Sequence, residues 1–245
     1  MARGLFLVFG IVSYCIFFAT FLYLVAFVGN LPGVPTTVDR GVITRLAPAL
    51  LTDLLLIALF GLQHSVMARQ GFKRTWTRIV PPPIERSVYV LFASVALMVM
   101  FLFWRPIGAG VWRVENDVAV AVLWGLFALG WLIVLLSTFL INHFELFGLK
   151  QVYLHLRSGT STTPRLRQPF LYKLVRHPLY SGFILAFWAT PVMTAGHLVL
   201  ALGMTVYILI AIRYEERDLI GVFGQDYATY RQNVGMLTPR FRRHG

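Results

Sequence analysis

GFILAFWATPVMTAGHLVLALGMTVYILIAI, residues 182–212, decides how often this chain crosses a bilayer. As one helix it would extend roughly 46 Å at 1.5 Å per residue, well beyond a hydrocarbon core of about 30 Å. Pro191 and Gly196 interrupt it, the first by removing a backbone donor and the second by weakening a helix interior. Two shorter helices turning between Pro191 and His197 fit the same residues as a hairpin that returns to the face it left.

Outward from this stretch, 58% of the 245 residues are hydrophobic, and they cluster in blocks near the length of a bilayer span. Spans are expected at 5–29, 46–67, 84–104 and 118–141. The first block, Leu5 to Val28, is too long for a signal-peptide core and lacks a small-residue cleavage site, so it is read as retained. Cys15 stands alone, cannot form an intrachain disulfide, and is read as a packing residue. The formal charge of +12 sits at the flanks of apolar spans, where orientation and contact with anionic lipid call for it, so nucleic acid is not expected as a partner.

Charge sets the orientation. Loop 68–86 carries Arg69, Lys73, Arg74, Arg78 and Arg86 against Glu85; segment 142–181 carries Lys150, Arg157, Arg165, Arg167, Lys173 and Arg176 against Glu145. Both belong on the cytoplasmic side. Loops 30–45 and 105–117 have two basic residues each, offset by acids, and belong outside. The tail, with Arg240, Arg242 and Arg243, reaches the cytoplasm only if 182–212 enters and returns. The expected fold is therefore all-α and polytopic, four transmembrane helices plus a C-terminal helical hairpin, in a single domain 1–245. A cytoplasmic cap is expected from 142–175, whose Ser158 to Pro164 patch is the one low-complexity segment.

The hairpin places RHPLYSG, residues 176–182, and RYEERDL, residues 213–219, at two feet on one face. Glu215 and Glu216 are expected just past the second arm, where the helix dipole disfavours anions. Arg176 and His177 read either as ordinary membrane anchors or as holders of a carboxylate; Tyr180 reads as an interfacial aromatic or as a face for a cation. The Glu pair reads as solvated or as a seat for an ammonium. Together they suit a ligand with an amino-acid head and a nearby positive centre.

RHPLYSG, then EERDL, then FGQDYATY at 223–230, resembles the C-terminal signature of the isoprenylcysteine carboxyl methyltransferase-like membrane enzymes. LQHSVMAR at 62–69, FKRTWTRIVPPPIERSVYVL at 72–91 and NHFELFGLKQVYL at 142–154 resemble its NnrU-related branch. The resemblance implies S-adenosyl-L-methionine as methyl donor, bound by a part of the chain at about 142–235. Arg176, His177, Tyr180, Gly182, Glu215 and Glu216 would contact its head. The acceptor would be a small thiol; with methanethiol the products would be dimethyl sulfide and S-adenosyl-L-homocysteine. The setting implied is a bacterial inner membrane, with the donor site and both termini cytoplasmic. Alternatives are a lipid-borne acceptor, a non-catalytic NnrU-like protein, or a nicotinamide enzyme sharing the sterol reductase architecture.

Within that expectation, Gln151, Tyr153 and His155 would line one side of an extended segment and meet an adenine. Glu145, at a helix end against the dipole, is a catalytic candidate, its bland counterpart being an interfacial segment anchored by Tyr153. His64, near the cytoplasmic end of the second span, reads as a dipole-favoured histidine or as a proton acceptor. Arg86 stands in the first turn of the third span, where a positive charge opposes the dipole. It reads either as an anchor paired to Glu85 or as a cation beside a thiolate. Asp53, in the outer half of the second span, is taken as structural. No cluster has metal-ligand spacing, so no metal is expected.

The hairpin is tested by single-cysteine labelling at Ser181 and Arg217 in a Cys15-replaced background. Both positions are expected to label from the cytoplasmic face; labelling from opposite faces would remove the hairpin.

Overall fold

The structure is a computed structural model that describes residues 2–159, 166 and 168–240. Most of the Ser158 to Pro164 patch, Arg165, Arg167 and the basic residues Arg242 and Arg243 lie outside these residues. The elements are α1 (Ala2–Val28), α2 (Leu46–Ala68), α3 (Gln70–Trp76), α4 (Pro82–Phe103), β1 (Gly110–Arg113), α5 (Asp117–Ile141), α6 (His143–Leu146), α7 (Leu149–Leu156), α8 (Leu171–Leu174), α9 (Pro178–Trp188), β2 (Val192–Thr194), α10 (Ala195–Phe223) and α11 (Gln225–Asn233). Five of these, α1, α2, α4, α5 and α10, are long and apolar enough to cross a membrane. The chain is a multi-pass, mostly helical membrane protein. Leu51, Leu55, Leu59 and Leu62 recur along one exposed face of α2, a stripe that hydrocarbon tails satisfy and water would not.

The chain divides into two compact units. The first comprises residues 1–113, 143–162 and 192–203. In it α4 packs on α1 and α2, with Phe27, Phe101 and Trp104 closing one end of the α1–α4 contact. The Trp104 indole N–H donates to the Val38 carbonyl at 3.1 Å. Asp53 is fully buried, and its Oδ1 accepts the backbone N–H of Arg105 at 2.8 Å, which ties α2 to the end of α4. Strands β1 and β2 form an antiparallel ribbon pairing Trp112 with Met193 and Arg113 with Val192.

The turn expected between Pro191 and His197 lies earlier, at 189–194. Pairing with β1 takes up 192–194, so Gly196 and His197 fall inside the first turn of α10. The backbone N of Ile107 comes within 2.9 Å of where a Cβ on Gly196 would stand. At its other end α10 continues past Ile212 to Phe223, where Gly224 takes φ +55° and turns the chain into α11. Glu215 and Glu216 therefore stand inside a helix, two turns before its end. The expectation that they oppose the dipole at a terminus does not hold.

The second unit comprises residues 114–142, 163–191 and 204–245. Pro178 opens α9, where its missing N–H leaves no helical bond unmade. Bonds join α9 to α10 at both ends: the Trp188 indole N–H donates to Thr205 Oγ1 at 3.0 Å, and the Tyr180 hydroxyl to Glu215 Oε2 at 2.9 Å. Helix α9 packs closely on α5 through glycines. A Cβ on Gly182 would stand 2.6 Å from the carbonyl oxygen of Gly130, and one on Gly130 would stand 2.7 Å from the amide nitrogen of Ala186. Small residues let the two backbones approach, the usual route to tight helix association in a membrane. Gly182 thereby serves packing of α9 on α5.

Gly182→Ala should force α5 and α9 apart and destabilise the fold by about 1–3 kcal/mol. Gly125→Ala on α5, where a Cβ meets nothing within 4 Å, is expected to leave the melting temperature unchanged or slightly raised. Thermal melts of both variants in detergent check the contrast.

Candidate active site

In the second unit the carboxylate of Glu216 gathers two arginines and a histidine. Arg176 Nε donates to Oε1 at 2.8 Å, His177 Nε2 lies 3.2 Å from the same oxygen, and Arg231 Nε lies 3.0 Å from Oε2. The pair is buried, with 9% of the Arg176 side chain and 7% of the Glu216 side chain exposed. Arg176 also donates through Nη1 to the carbonyls of Arg231 and Val234. The backbone N–H groups of Arg176 and His177 donate to the carbonyls of Gly235 and Met236, and Ser181 Oγ donates to that of Leu237. Residues 234–237 are thus fastened along RHPLYSG.

This changes the expected roles. Arg176 and His177 read as membrane anchors or as holders of a ligand carboxylate; in the structure both meet a carboxylate of the same chain, Glu216. Glu216 in turn is taken up. Glu215, the next residue back and about 100° around the helix, has 43% of its side chain exposed. Tyr180 donates to its Oε2, and His177 Nδ1 stands 4.0 Å from that atom. Buried tyrosines lie in the same unit. Burial pushes the Tyr230 hydroxyl up to about 12, against the pull of Arg176, while burial and then the charge of Glu215 raise Tyr172 well above the usual phenol range. Tyr230 donates to the Tyr172 carbonyl.

In the first unit, Arg86 and His64 meet a residue that sequence reading missed, Tyr89. The Arg86 guanidinium carbon lies 4.8 Å from the centre of the Tyr89 ring, and the His64 ring packs on the same phenol at 5.0 Å. Tyr89 donates to the His64 carbonyl at 3.4 Å. The spacing of three between Arg86 and Tyr89 on one helix was the available signal. Arg86 Nε donates to the Leu146 carbonyl at 2.6 Å. The last carbonyls of α6 thus answer the charge that α4's own dipole opposes.

The segment 142–156 is helical rather than extended. Gln151, Tyr153 and His155 lie on α7, so the expected alternation fails: Gln151 and His155 share a face one turn apart, and Tyr153 points elsewhere and is exposed. Gln151 Nε2 donates to the Glu145 carbonyl at 3.0 Å, and its buried Oε1 has no partner among the described residues. His155 stacks on Phe6 at 5.5 Å. Glu145 accepts from Lys150 at 2.7 Å in a partly exposed ion pair, so a cation answers it and no dipole argument for catalysis remains. Gly148 takes φ +89°, and a Cβ there would strike Ser87 Oγ at 2.6 Å. The turn therefore needs glycine both for its dihedral and for its contact with α4. His143, buried beneath Phe147, is hydrogen-bonded to the Tyr14 hydroxyl at 2.8 Å, and burial lowers its pKa.

A family model described as PEMT, phospholipid methyltransferase, matches residues 118–226. A methanethiol S-methyltransferase of Mycobacterium tuberculosis is 51% identical over 244 residues, 100% of both chains. The chain belongs to the methanethiol S-methyltransferase family. Another relative so named, from Bradyrhizobium diazoefficiens, is 55% identical over 232 residues, 94% of this chain and 81% of its own. Nurim of Xenopus laevis is 34% identical over 176 residues, 68% of this chain and 61% of its own. No solved structure matches. Membership makes the chain a membrane methyltransferase, which is what the resemblance of its C-terminal motifs implies. Among the described residues no group of three or more His, Cys, Asp or Glu could hold a metal ion.

The two adjacent glutamates of this methyltransferase should separate in a stability measurement. Glu216→Gln leaves Arg176 and Arg231 without their carboxylate and is expected to destabilise by about 3–5 kcal/mol. Glu215→Gln, at a largely exposed position, should stay within about 0.5 kcal/mol of the parent. Unfolding in detergent followed by intrinsic fluorescence reads both.

Proposed function

We propose that the chain transfers a methyl group from S-adenosylmethionine to methanethiol, releasing dimethyl sulfide and S-adenosylhomocysteine. The observation that carries this reading is the end-to-end likeness, 51% over 100% of both chains, to a relative whose name specifies that acceptor. The whole chain is one methyltransferase domain in this reading. Helices α1, α2, α4 and α5 make four crossings, and α9 with α10 makes the hairpin. Helix α9 alone is about 16 Å long, but six more residues at about 3.3 Å each carry the arm to roughly 36 Å, enough to reach the far side. Both termini then face the cytoplasm of a bacterial inner membrane, where basic loops meet anionic lipid.

The donor fits the second unit. An amino-acid head brings an ammonium, and Glu215 offers an accessible carboxylate whose charge the neighbouring cations leave to it, since Arg176 and Arg231 are spent on Glu216. Tyr180 fixes that carboxylate by donating to one oxygen. When bound, S-adenosylmethionine supplies a methyl carbon on a sulfonium that leaves readily. The protein's remaining work is to ionise and hold the acceptor. A cysteine-like thiol of pKa about 8.5 costs roughly 2 kcal/mol to ionise at pH 7. Arg86, held by the Leu146 carbonyl and the Tyr89 face, is a fixed cation that favours the thiolate, and His64 on the same phenol is the candidate to take its proton.

A lipid-borne acceptor is a second reading, favoured by the phospholipid methyltransferase match over 118–226. Purified protein with labelled donor is offered methanethiol, a prenylcysteine and a phosphatidylethanolamine, and dimethyl sulfide is read by headspace gas chromatography across a pH series. Dimethyl sulfide release that rises with pH until the bound thiol is ionised is expected, with Arg86→Met lowering turnover by about 100-fold or more and leaving affinity for S-adenosylhomocysteine near that of the parent. Methylation of a lipid acceptor without dimethyl sulfide would overturn the proposal.

A further inference from the structure

HFEL, residues 143–146, folds as the single turn α6, and one turn of helix has no stability of its own, because fixing its backbone costs more than its first internal bond returns. Its position is therefore set from outside. At its far end the Leu146 carbonyl accepts the Arg86 Nε–H at 2.6 Å, and beside it the Glu145 carbonyl accepts the Gln151 amide at 3.0 Å. At its near end the His143 imidazole, 5% exposed, stands with Nε2 2.8 Å from the Tyr14 hydroxyl of α1.

Rings crowd this clasp. Phe147 stacks on Phe17 at 4.0 Å, and Tyr14 and His143 both meet Phe147 edge-to-face, at 6.2 and 4.8 Å. Such contacts press the turn against α1 but tolerate rotation. A hydrogen bond tolerates much less, since it weakens steeply once donor and acceptor leave their line. Rotation matters here: turning α6 by the roughly 100° between successive residues would offer Arg86 a different carbonyl. A buried hydrogen-bonded pair can be nearly neutral in stability against apolar side chains of the same shape. What the Tyr14–His143 pair adds to the packing is direction.

We propose that Tyr14 and His143 are positioning residues for methyl transfer: their hydrogen bond orients α6 so that the Leu146 carbonyl keeps the Arg86 guanidinium in place beside the acceptor thiolate. The proposal rests on the reading of Arg86 as the cation that favours the thiolate, and extends it to two residues that act through a main-chain oxygen. Other ionisable groups surround the same arginine. Glu85 precedes it on α4, His64 of α2 shares the Tyr89 ring with it, the Glu145–Lys150 ion pair of α6 and α7 stands beside Leu146, and α1 contributes Tyr14 itself. Glu85, His64, Glu145 and Lys150 are unchanged in the variants that test the proposal, so a moved pH profile reads the placement of Arg86.

Tyr14→Phe keeps the ring and deletes the hydroxyl; His143→Leu removes the ring nitrogens; His143→Gln keeps a nitrogen-bearing amide of similar reach. Turnover and kcat/KM for methanethiol are read across a pH series by headspace dimethyl sulfide, in the parent and in an Arg86→Met background, with affinity for S-adenosylhomocysteine measured by calorimetry. Tyr14→Phe and His143→Leu are expected to lose about 10-fold to 100-fold in turnover while binding S-adenosylhomocysteine within about twofold of the parent. The rising limb of their pH profiles should move up by roughly 0.5 to 1 unit, because a misplaced cation stabilises the thiolate less. His143→Gln should recover most of the loss. In the Arg86→Met background Tyr14→Phe should cost less than about twofold more, since its effect passes through the arginine. An unmoved pH profile, or losses that multiply in that background, would show that the pair serves the fold alone and overturn the proposal. Full turnover in Arg86→Met by itself would instead remove the cation reading, and this proposal with it.

Discussion

A single buried carboxylate holds the second unit together. Glu216 is drawn in from α10, Arg176 and His177 from the start of α9, and Arg231 from α11, so three stretches of chain converge on two oxygen atoms. Burying a carboxylate without partners costs several kcal/mol, and so does burying a guanidinium. Each of these groups is therefore tolerable only when the others are in place. The backbone follows the same constraint: Arg176 is also the donor that collects the carbonyls of Arg231 and Val234, and its own N–H fastens residue Gly235. Removing one charge undoes contacts in all three segments.

One consequence is the different standing of two neighbouring residues of identical chemistry. Glu216 points inward and is ion-paired; Glu215 points about 100° away and reaches solvent. Environment alone divides a buried, ion-paired acid from a partly exposed one. The buried network also holds His177 beside its exposed neighbour, since the imidazole lies 3.2 Å from Glu216 Oε1 and 4.0 Å from Glu215 Oε2.

The first unit uses a related device. Arg86 stands where the dipole of α4 is unfavourable, and it is stabilised by the terminal carbonyl of α6 and the face of Tyr89. In both units an arginine is oriented by main-chain oxygens at the end of a short segment, which suits a planar fork of donors better than a flexible ammonium. Gly148 with its positive φ, and Gly224 with its own, are what allow those segments to turn back onto the helices that carry the arginine or its partner.

Apolar length was legible in the chain itself. Hydrocarbon thickness is a property of the bilayer, so the spans expected at 5–29, 46–67, 84–104 and 118–141 fall within a few residues of α1, α2, α4 and α5. The same yardstick misjudged α10, because a membrane limits how long a helix stays apolar and not how long it stays helical. RYEERDL continues the helix in polar residues. The short stretch 149–156 was misread for a different reason: over eight residues, alternation and helical spacing use many of the same positions, and packing of Val152 against Gly10 favours the helix. As to the site, the residue types and the two feet of 182–212 were present in the sequence, since charge and polarity belong to each residue alone. Which carboxylate is consumed and which is left open, that Tyr89 joins Arg86 to His64, and that Gly182 serves packing could be decided only in three dimensions. Each depends on partners 25 to 60 residues away, or on the angle at which a side chain leaves its helix, and no local property of the chain specifies either.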